Sequence, residues 1–263
     1  MDLGISGKTA IVAAASKGLG KAVALGLAKE GANLAICARG ETALLETAEE
    51  IRSATSATVL SIAADVTDAD DIQKLVKSTA DEFGQIDILV TNAGGPPSGL
   101  FSDFSDEDWQ DAMTLNLLST IRLCREVIPH MQKGSGGRIV NIVSIAAKQP
   151  VEGLILSNSL RAAVIGLAKT LSNELAGDNI LVNSVCPGWI LTDRLSSIVN
   201  NRAQSQGTSY ESALGNITAN IPLGRCGTPE EVTSLIVFLA SERASYLTGA
   251  TIQVDGGLLK SLF

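Results

Sequence analysis

Residues 9–31 read TAIVAAASKGLGKAVALGLAKEG, a short apolar run followed by a loop with two glycines and an amphipathic, alanine-rich segment. The apolar run is typical of a β-strand that is buried on both faces. Residues 21–30 are typical of a helix that ends at Gly31. Gly18 and Gly20 would let the backbone come close to a phosphate at the N-terminus of this helix, where free N–H groups favour negative charge. Many turns between a strand and a helix carry glycines, so these two alone are a weak indication.

Strand-like and helix-like segments alternate along the rest of the chain. Short apolar runs predict strands, at residues 9–14, 33–38, 59–64, 86–91, 138–143, 180–186 and 251–254. Segments between them predict helices, at residues 21–30, 42–53, 68–83, 106–132 (one or two helices), 160–176 and 228–241. The last of these has a strong start signal, because Thr228 and Glu231 fit a capping box and Pro229 occupies the first helical position.

This alternation predicts an α/β fold, because right-handed crossovers place helices on both faces of a parallel sheet. We expect a Rossmann-type doubly wound parallel sheet of about seven strands. No linker or repeat divides residues 1–263, so they are predicted to form a single dinucleotide-binding domain. Residues 190–225 are long, polar and irregular, and they are predicted to form a mobile flap over a site.

The composition excludes several classes of protein. A chain with 45% hydrophobic and 18% charged residues is not disordered. The net charge of −8 argues against nucleic acid as the main partner, because phosphate backbones require a basic face. Aromatic residues make up only 3% of the chain, too few for a surface on which bases stack. A local basic pocket for one small phosphate is compatible with these numbers.

The cysteines and the N-terminus predict where the protein is found. Cys37, Cys124, Cys186 and Cys226 form no Cys-x-x-Cys pair, so we expect buried free thiols in a reducing compartment. A single histidine, His130, argues against a His-rich metal site, and no metal is expected. The first residues lack the long apolar stretch of a signal peptide, and no apolar run is long enough to span a bilayer. The sequence therefore predicts a soluble cytoplasmic protein that has no membrane partner.

A set of short motifs follows the predicted strands in a fixed order. They are Ser16-Lys17-Gly18-Leu19-Gly20, Asp65-Val66, Asn92-Ala93-Gly94, Asn116, Pro187-Gly188 and Val254-Asp255-Gly256-Gly257. With these motifs the chain resembles the short-chain dehydrogenase/reductase family over nearly its whole length. Within that family it is most similar to the 3-oxoacyl-carrier-protein reductase branch. The resemblance implies a nicotinamide dinucleotide bound across the carboxyl ends of the parallel strands.

The resemblance also implies which residues contact the cofactor. They are Ser16, Lys17, Gly18, Leu19, Gly20, Arg39, Asp65, Val66, Asn92, Ala93, Gly94, Arg161, Pro187, Gly188 and Ile190. Asp65 and Val66 would flank the adenine, residues 92–94 would close against a ribose, and residues 187–190 would line the nicotinamide side. The alternative for Asp65 is a surface carboxylate. For residues 92–94 it is a plain turn, and for residues 187–190 it is a simple strand terminator.

Two features of the predicted cofactor site concern its loops. Arg39 directly follows the second strand, where an acidic residue would select a ribose 2′-OH and an arginine accommodates a 2′-phosphate. With Lys17 nearby, the sequence favours NADP(H) over NAD(H), and two solvated surface cations are the alternative. Family members usually open the glycine loop with Thr-Gly, but this chain has Ala13 and Ala14 there. The Cβ of Ala14 is expected to narrow the adenosine end or to shift the turn.

The resemblance implies an altered active site. The family's catalytic Ser, Tyr and Lys fall on Ser144, Ser157 and Arg161. The register is set by residues 161–164, Arg-Ala-Ala-Val, which match the family's usual Lys-Ala-Ala-Val. Asn116 matches an asparagine that holds a water in the family's proton relay. A structural bulge in the helix is the alternative for this residue.

These replacements weaken ordinary acid–base chemistry. A serine hydroxyl is a far weaker acid than a phenol, and an arginine keeps its proton, whereas general acid–base help is worth about 10²–10⁴ in rate. Arg161 could instead bind ribose hydroxyls or polarise a carbonyl or carboxylate, and Ser144 could donate a hydrogen bond to a substrate oxygen. The alternatives are a helix-surface arginine in an ion pair and a serine that caps a turn.

The sequence therefore favours an NADP(H)-dependent oxidoreductase that acts on the carbonyl or hydroxyl of a small molecule with a non-standard active site. One rival is a catalytically impaired protein of the same fold that binds a nucleotide or acts as a scaffold, and another is a lyase or isomerase. No arginine cluster is evident in residues 190–225 to indicate a phosphopantetheine or nucleotide substrate. Apolar helix faces and the apolar tail at residues 258–263 predict a homo-oligomer, most commonly a tetramer in this family.

Overall fold

Seven parallel strands form one sheet in the computed structural model, which describes residues 2–262. The strands are β1 (Thr9–Val12), β2 (Asn33–Ala38), β3 (Val59–Ala63), β4 (Ile88–Thr91), β5 (Gly137–Ile142), β6 (Ile180–Pro187) and β7 (Thr251–Val254). Their order across the sheet is β3-β2-β1-β4-β5-β6-β7, and every neighbouring pair is parallel. The predicted doubly wound sheet is thus confirmed.

Nine α-helices connect or flank these strands within residues 2–262. They are α1 (Gly18–Lys29), α2 (Glu41–Ala54), α3 (Ala69–Phe83), α4 (Asp106–Met113), α5 (Ser119–Lys133), α6 (Ile155–Glu174), α7 (Asp193–Gln206), α8 (Tyr210–Thr218) and α9 (Pro229–Leu239). A π-helical turn at Thr114–Leu118 joins α4 to α5. Short 3₁₀ turns lie at Phe101–Asp103, Ile145–Ala147, Ala176–Asp178 and Glu242–Ala244.

Helices cover both faces of the sheet, and each face has its own apolar core. Residues of α1, α2 and α9 pack on one face, and residues of α3, α5 and α6 pack on the other. Successive residues of a strand point to opposite faces. Accordingly, Ala10 and Val12 of β1 belong to the first core, whereas Ile11 belongs to the second. This is why β1 reads as a continuous apolar run.

Local signals set the ends of two helices as predicted. The Thr228 side chain accepts a hydrogen bond from the Glu231 amide at 3.4 Å, and the Glu231 carboxylate accepts one from the Thr228 amide at 2.8 Å. This reciprocal capping box begins α9. Helix α3 ends at Gly84, which has a φ of 75°, a left-handed conformation that glycine adopts without strain.

The predicted irregular structure of residues 190–225 is wrong. Helices α7 and α8 occupy most of this segment, and they pack around a small apolar cluster of their own. Leu195, Ile198, Val199 and Ala203 are the buried residues of α7, and they recur at helical spacing. The many Ser and Asn residues between them obscure this period in the sequence. The role of the segment as a mobile flap stays a prediction.

The four cysteines are free and buried, as expected from their apolar surroundings. Burial raises the pKa of Cys37 to about 11 and that of Cys124 to about 12, so both thiols are protonated at neutral pH. Among residues 2–262, no group of His, Cys, Asp or Glu side chains could hold a metal ion. No helix in that range is long and apolar enough to cross a bilayer.

Candidate active site

A cavity of about 710 Å³ lies at the carboxyl edge of the sheet. Its wall includes residues from the segments that follow strands β1 to β6, because the carboxyl ends of parallel strands meet at the same edge. The strand order reverses between β1 and β4, and doubly wound sheets bind their ligands at such a switch point. Residues of α6 and α7 close the remaining sides.

Most of the predicted site residues line this cavity. They are Ser16, Lys17, Gly18, Leu19, Arg39, Asp65, Val66, Asn92, Ala93, Gly94, Ser144, Ser157, Arg161, Pro187, Gly188 and Ile190. Gly20 and Asn116 are not on its wall, and both are buried. The fold therefore gathers residues from the loops after six strands, from the start of α1 and from α6, while their individual roles stay predictions.

The glycine loop leaves a helix N-terminus open towards the cavity. Helix α1 begins at Gly18, which has a φ of 56°, and the Lys17 side chain forms no capping hydrogen bond. The first amides of α1 are thus available to an anion. A Cβ at Gly20 would overlap the carbonyl oxygen of Ala14, so this glycine serves close packing of the loop on the helix.

Ala14 adopts a left-handed backbone conformation at the position where the family usually has a glycine. Its φ is 50°, within the left-handed region that disfavours residues with a Cβ. The turn is held on both sides, because the Asn92 side chain donates a hydrogen bond to the Ala14 carbonyl at 3.4 Å and the Ala15 amide bonds to Cys37. Ala14 thus carries backbone strain at a residue that lines the cavity, and the expected narrowing or shift of the turn stays a prediction.

The two predicted 2′-phosphate ligands differ in their surroundings. Lys17 Nζ lies 3.2 Å from Asp193 Oδ2 at the start of α7, and both side chains are exposed. Arg39 is also exposed, and no carboxylate in residues 2–262 pairs with it. The fold thus brings a carboxylate to Lys17 from a segment that is distant in sequence. Arg39 is the less neutralised of the two.

Asp65, the predicted adenine contact, is engaged by its own turn. Its Oδ1 accepts hydrogen bonds from the Thr67 amide at 2.9 Å and from the Thr67 hydroxyl at 2.8 Å. Aspartate side chains commonly stabilise turns in this way. Oδ2 is the carboxylate oxygen left to face a ligand.

Asn116 lies in the π-helical turn between α4 and α5 and is 2% exposed. Its Nδ2 donates a hydrogen bond to the Gly94 carbonyl at 3.0 Å, whereas its Oδ1 is buried and has no partner in residues 2–262. The bulge anticipated as the alternative is thus present. The partnerless oxygen is also compatible with a bound water, so the two interpretations of this residue are not exclusive.

Arg161 is a buried arginine, 8% exposed, on the inner wall of the cavity. Its Nη1 donates a hydrogen bond to the Ile142 carbonyl at 2.9 Å and its Nη2 donates one to the Ala93 carbonyl at 3.5 Å. Its Nε has no partner, and no carboxylate in residues 2–262 pairs with it. The alternative of a surface arginine in an ion pair is therefore wrong. Burial, and then the charge of Arg194, lowers the pKa of Arg161 to about 10, which leaves it protonated at neutral pH.

Arg194, which lines the cavity from α7, was not predicted as a site residue. Its Nη2 donates a hydrogen bond to the Pro96 carbonyl at 2.8 Å. A Cβ at Gly95 would lie 2.8 Å from its Nε, so the side chain lies directly over this glycine. The sequence offers no local signal for the pair, because Arg194 and Arg161 belong to different helices.

The two serines occupy different positions on the cavity wall. Ser144 Oγ accepts a hydrogen bond from the Ala146 amide at 3.1 Å, so Ser144 caps the 3₁₀ turn that follows β5. The alternative prediction for this residue, a serine that caps a turn, is therefore confirmed. Its hydroxyl proton stays available to another acceptor. Ser157 lies on α6 one turn before Arg161, and its hydroxyl has no hydrogen-bond partner within residues 2–262. In that range no tyrosine lines the cavity.

Comparisons with known proteins agree with this geometry. A family model described as Enoyl-(Acyl carrier protein) reductase matches residues 13–259. The 3-oxoacyl-[acyl-carrier-protein] reductase of Vibrio cholerae is 36% identical over 256 residues, which are 97% of this chain and 99% of that protein. The L-sorbose reductase of Gluconobacter frateurii, solved with NADPH and L-sorbose, superposes with a TM-score of 0.95 at 37% identity over 100% of both chains. YwfH, an NADPH-dependent reductase involved in bacilysin biosynthesis, gives a TM-score of 0.92 at 34% identity over 97% of this chain and 99% of that one.

Proposed function

The chain belongs to the short-chain dehydrogenase/reductase family and is an oxidoreductase of that type, and on this premise we propose that it uses NADP(H) to reduce the carbonyl of a small molecule, or to oxidise the corresponding hydroxyl, with a non-standard active site. One observation carries the proposal. The cavity brings the open N-terminus of α1 together with a protonated Arg161 and the hydroxyls of Ser144 and Ser157.

The residues present fit a dinucleotide. The uncapped amides of α1 suit a pyrophosphate, and the close approach of Gly20 to the loop would not survive an added Cβ. Arg39 supplies positive charge at the end of β2, which favours a 2′-phosphate. Two solved relatives also use this nucleotide, since the L-sorbose reductase was solved with NADPH and YwfH is an NADPH-dependent reductase. When bound, the dinucleotide supplies the hydride of the reduction.

The chain's own groups stabilise the charge that develops on the substrate oxygen. Ser144 and Ser157 each have a hydroxyl proton to donate to that oxygen, and Arg161 adds a fixed positive charge in a buried position. A serine is too weak an acid to give up its proton outright. The product hydroxyl therefore takes its proton from water, and hydroxide returns to the solvent.

The function is tested first by titrating the purified protein with NADPH and following the fluorescence of the nucleotide. Turnover is then measured with a reactive diketone. We expect binding, slow turnover, and a larger loss of kcat for Arg161→Ala than for Ser157→Ala, because a buried charge is harder to replace than one hydroxyl. Ser159→Ala is the matched control, since Ser159 is exposed on the same helix and bonds only to the Ile155 carbonyl.

Two results would contradict this mechanism. Brisk turnover that Arg161→Ala leaves unchanged would rule out the oxyanion role. Activity seen only in the double variant Ser157→Tyr/Arg161→Lys would show that the natural chain lacks the chemistry.

The second candidate is a protein of this fold that binds a nucleotide without turning it over. It is favoured by the lack of a phenol on the cavity wall within residues 2–262. NADPH binding without turnover over a panel of carbonyl compounds would support it. Failure to bind NADPH at all would favour a scaffold.

A further inference from the structure

Two guanidinium groups face the inner part of the cavity without an acidic partner. Arg161 is held on the ends of β4 and β5, and Arg194 reaches in from α7 over Gly95. Arg161 bonds to the Ala93 carbonyl and Arg194 to the Pro96 carbonyl of the same loop, so two like charges are held along one stretch of the cavity wall. Holding two like charges together in a partly buried site is unfavourable unless an anion joins them.

The acidic residues of the cavity do not supply that anion. Asp65 and Asp193 are the acidic side chains on its wall, beside four basic ones. Asp193 pairs with Lys17, and Asp65 is engaged by Thr67. A chain with a net charge of −8 thus keeps an excess of positive charge in this one cavity.

We propose that Arg161 and Arg194 bind a carboxylate of the substrate, so that the preferred substrates are oxo acids or the corresponding hydroxy acids. This inference rests on the proposed function. The unpartnered, buried Nε of Arg161 and the guanidinium of Arg194 provide the donors, and a planar guanidinium matches the geometry of a carboxylate.

The phosphates of the dinucleotide are a second source of negative charge, but they fit a different part of the cavity. The open N-terminus of α1 follows β1, whereas Arg161 contacts the end of β5 and the loop after β4. Strand β5 is two strands away from β1. At about 4.8 Å per strand, the two positions are roughly 10 Å apart along the edge of the sheet.

The position of the serines limits the distance between the acid and the carbonyl. Ser157 and Arg161 are one helical turn apart on the same face of α6, and side chains at this spacing have Cβ atoms about 5–6 Å apart. A carbonyl oxygen bound to Ser157 and a carboxylate bound at Arg161 Nε therefore belong to a short molecule. The acid group lies within a few carbons of the carbonyl.

The test compares 2-oxobutanoate with its methyl ester, which has the same carbonyl and no charge. Calorimetry gives the Kd of each for the protein saturated with NADP⁺, and kcat/KM is measured with NADPH. We expect the acid to bind about 10–100-fold more tightly than the ester, as charge-assisted hydrogen bonds predict. Arg194→Gln should reduce this preference about tenfold or more, and Arg194→Lys, which keeps the charge, should reduce it less.

Arg125→Gln is the control, because it removes the same charge from an exposed position on α5 and should keep the preference. Equal affinities for acid and ester in the wild type would overturn the inference. A preference that is present in the nucleotide-free protein but absent in the NADP⁺-saturated protein, or that inorganic phosphate abolishes, would also overturn it, since the arginines would then bind phosphate. If NADPH binds and is oxidised by the diketone without any preference for acids, the inference fails while the proposed function stands. Selective acid binding without NADPH binding would contradict the proposed function instead.

Discussion

Ala14 is the residue at which the backbone of the cavity wall is strained. Its φ of 50° is unfavourable for a residue with a Cβ, and Asn92 and the Ala15 amide hold the turn in place. The strain is local, so it can be relieved by one substitution.

We expect Ala14→Gly to stabilise the protein by up to about 1 kcal/mol, because glycine accepts a positive φ without a steric penalty. Urea unfolding of the two proteins measures the difference. Ala15→Gly is the control, since Ala15 is fully buried and does not have a positive φ. That variant should lose stability. A destabilised Ala14→Gly protein would show that the Cβ of Ala14 makes a packing contribution that outweighs the strain.

Arg39 is the residue that decides cofactor preference in our proposal. We expect NADPH to bind about tenfold or more tightly than NADH, because a charge-assisted hydrogen bond to the 2′-phosphate contributes about 1.5–3 kcal/mol. Arg39→Asp should reverse the order of the two affinities. Fluorescence titration at one fixed ionic strength measures them, and equal wild-type affinities would refute the assignment. Lys17→Ala should have the smaller effect, because Asp193 already pairs with Lys17.

At the level of elements, α9 depends on a short local signal at its start. Thr228 and Glu231 satisfy each other's amides, and Glu231 also bonds to Arg225 at 2.6 Å. The helix packs against α1, which begins at the glycine loop, through the apolar core on that face of the sheet.

We expect Thr228→Ala to reduce the free energy of unfolding by about 1 kcal/mol, because the Glu231 amide would lose its side-chain partner. Thr228→Ser, which keeps the hydroxyl, should lose much less. Urea unfolding measures both. Thr170→Ala is the control, since the Thr170 hydroxyl bonds only to the Gly166 carbonyl on the exposed side of α6. Equal losses at Thr228 and Thr170 would show that the cap contributes nothing.

For the whole molecule we propose a homo-oligomer, most simply a tetramer. Helices α5 and α6 are long, and several large apolar side chains are exposed on the single chain, among them Phe101, Tyr246 and Leu262. Exposed apolar side chains of this size tend to be covered in an assembly. Light scattering at micromolar concentration should give a mass several times 27.2 kDa. A monomer mass would refute this prediction.

The sheet and its active edge could be predicted from the chain alone, because both depend on local patterns. Apolar runs and helical periods identify the strands and most helices, and parallel crossovers then bring all carboxyl ends to one edge. The glycine loop, Arg39 and residues 92–94 each follow a predicted strand, so their meeting in one cavity was foreseeable. The start of α9 likewise follows from residues within one turn, whereas α1 begins at Gly18, three residues before its predicted start.

The placement of Arg194 beside Arg161 and the ion pair between Lys17 and Asp193 could not be foreseen in this way. Each depends on how a helix packs against loops that are distant in sequence. The polar composition of residues 190–225 suggested an irregular flap, whereas the small core between α7 and α8 orders it into two helices and thereby aims Arg194 into the cavity. The periodicity of a sequence indicates which face of a segment is buried, but long-range packing decides which residues that face contacts. The electrostatics of this cavity depend on long-range packing, because it brings the charged residues of distant segments together.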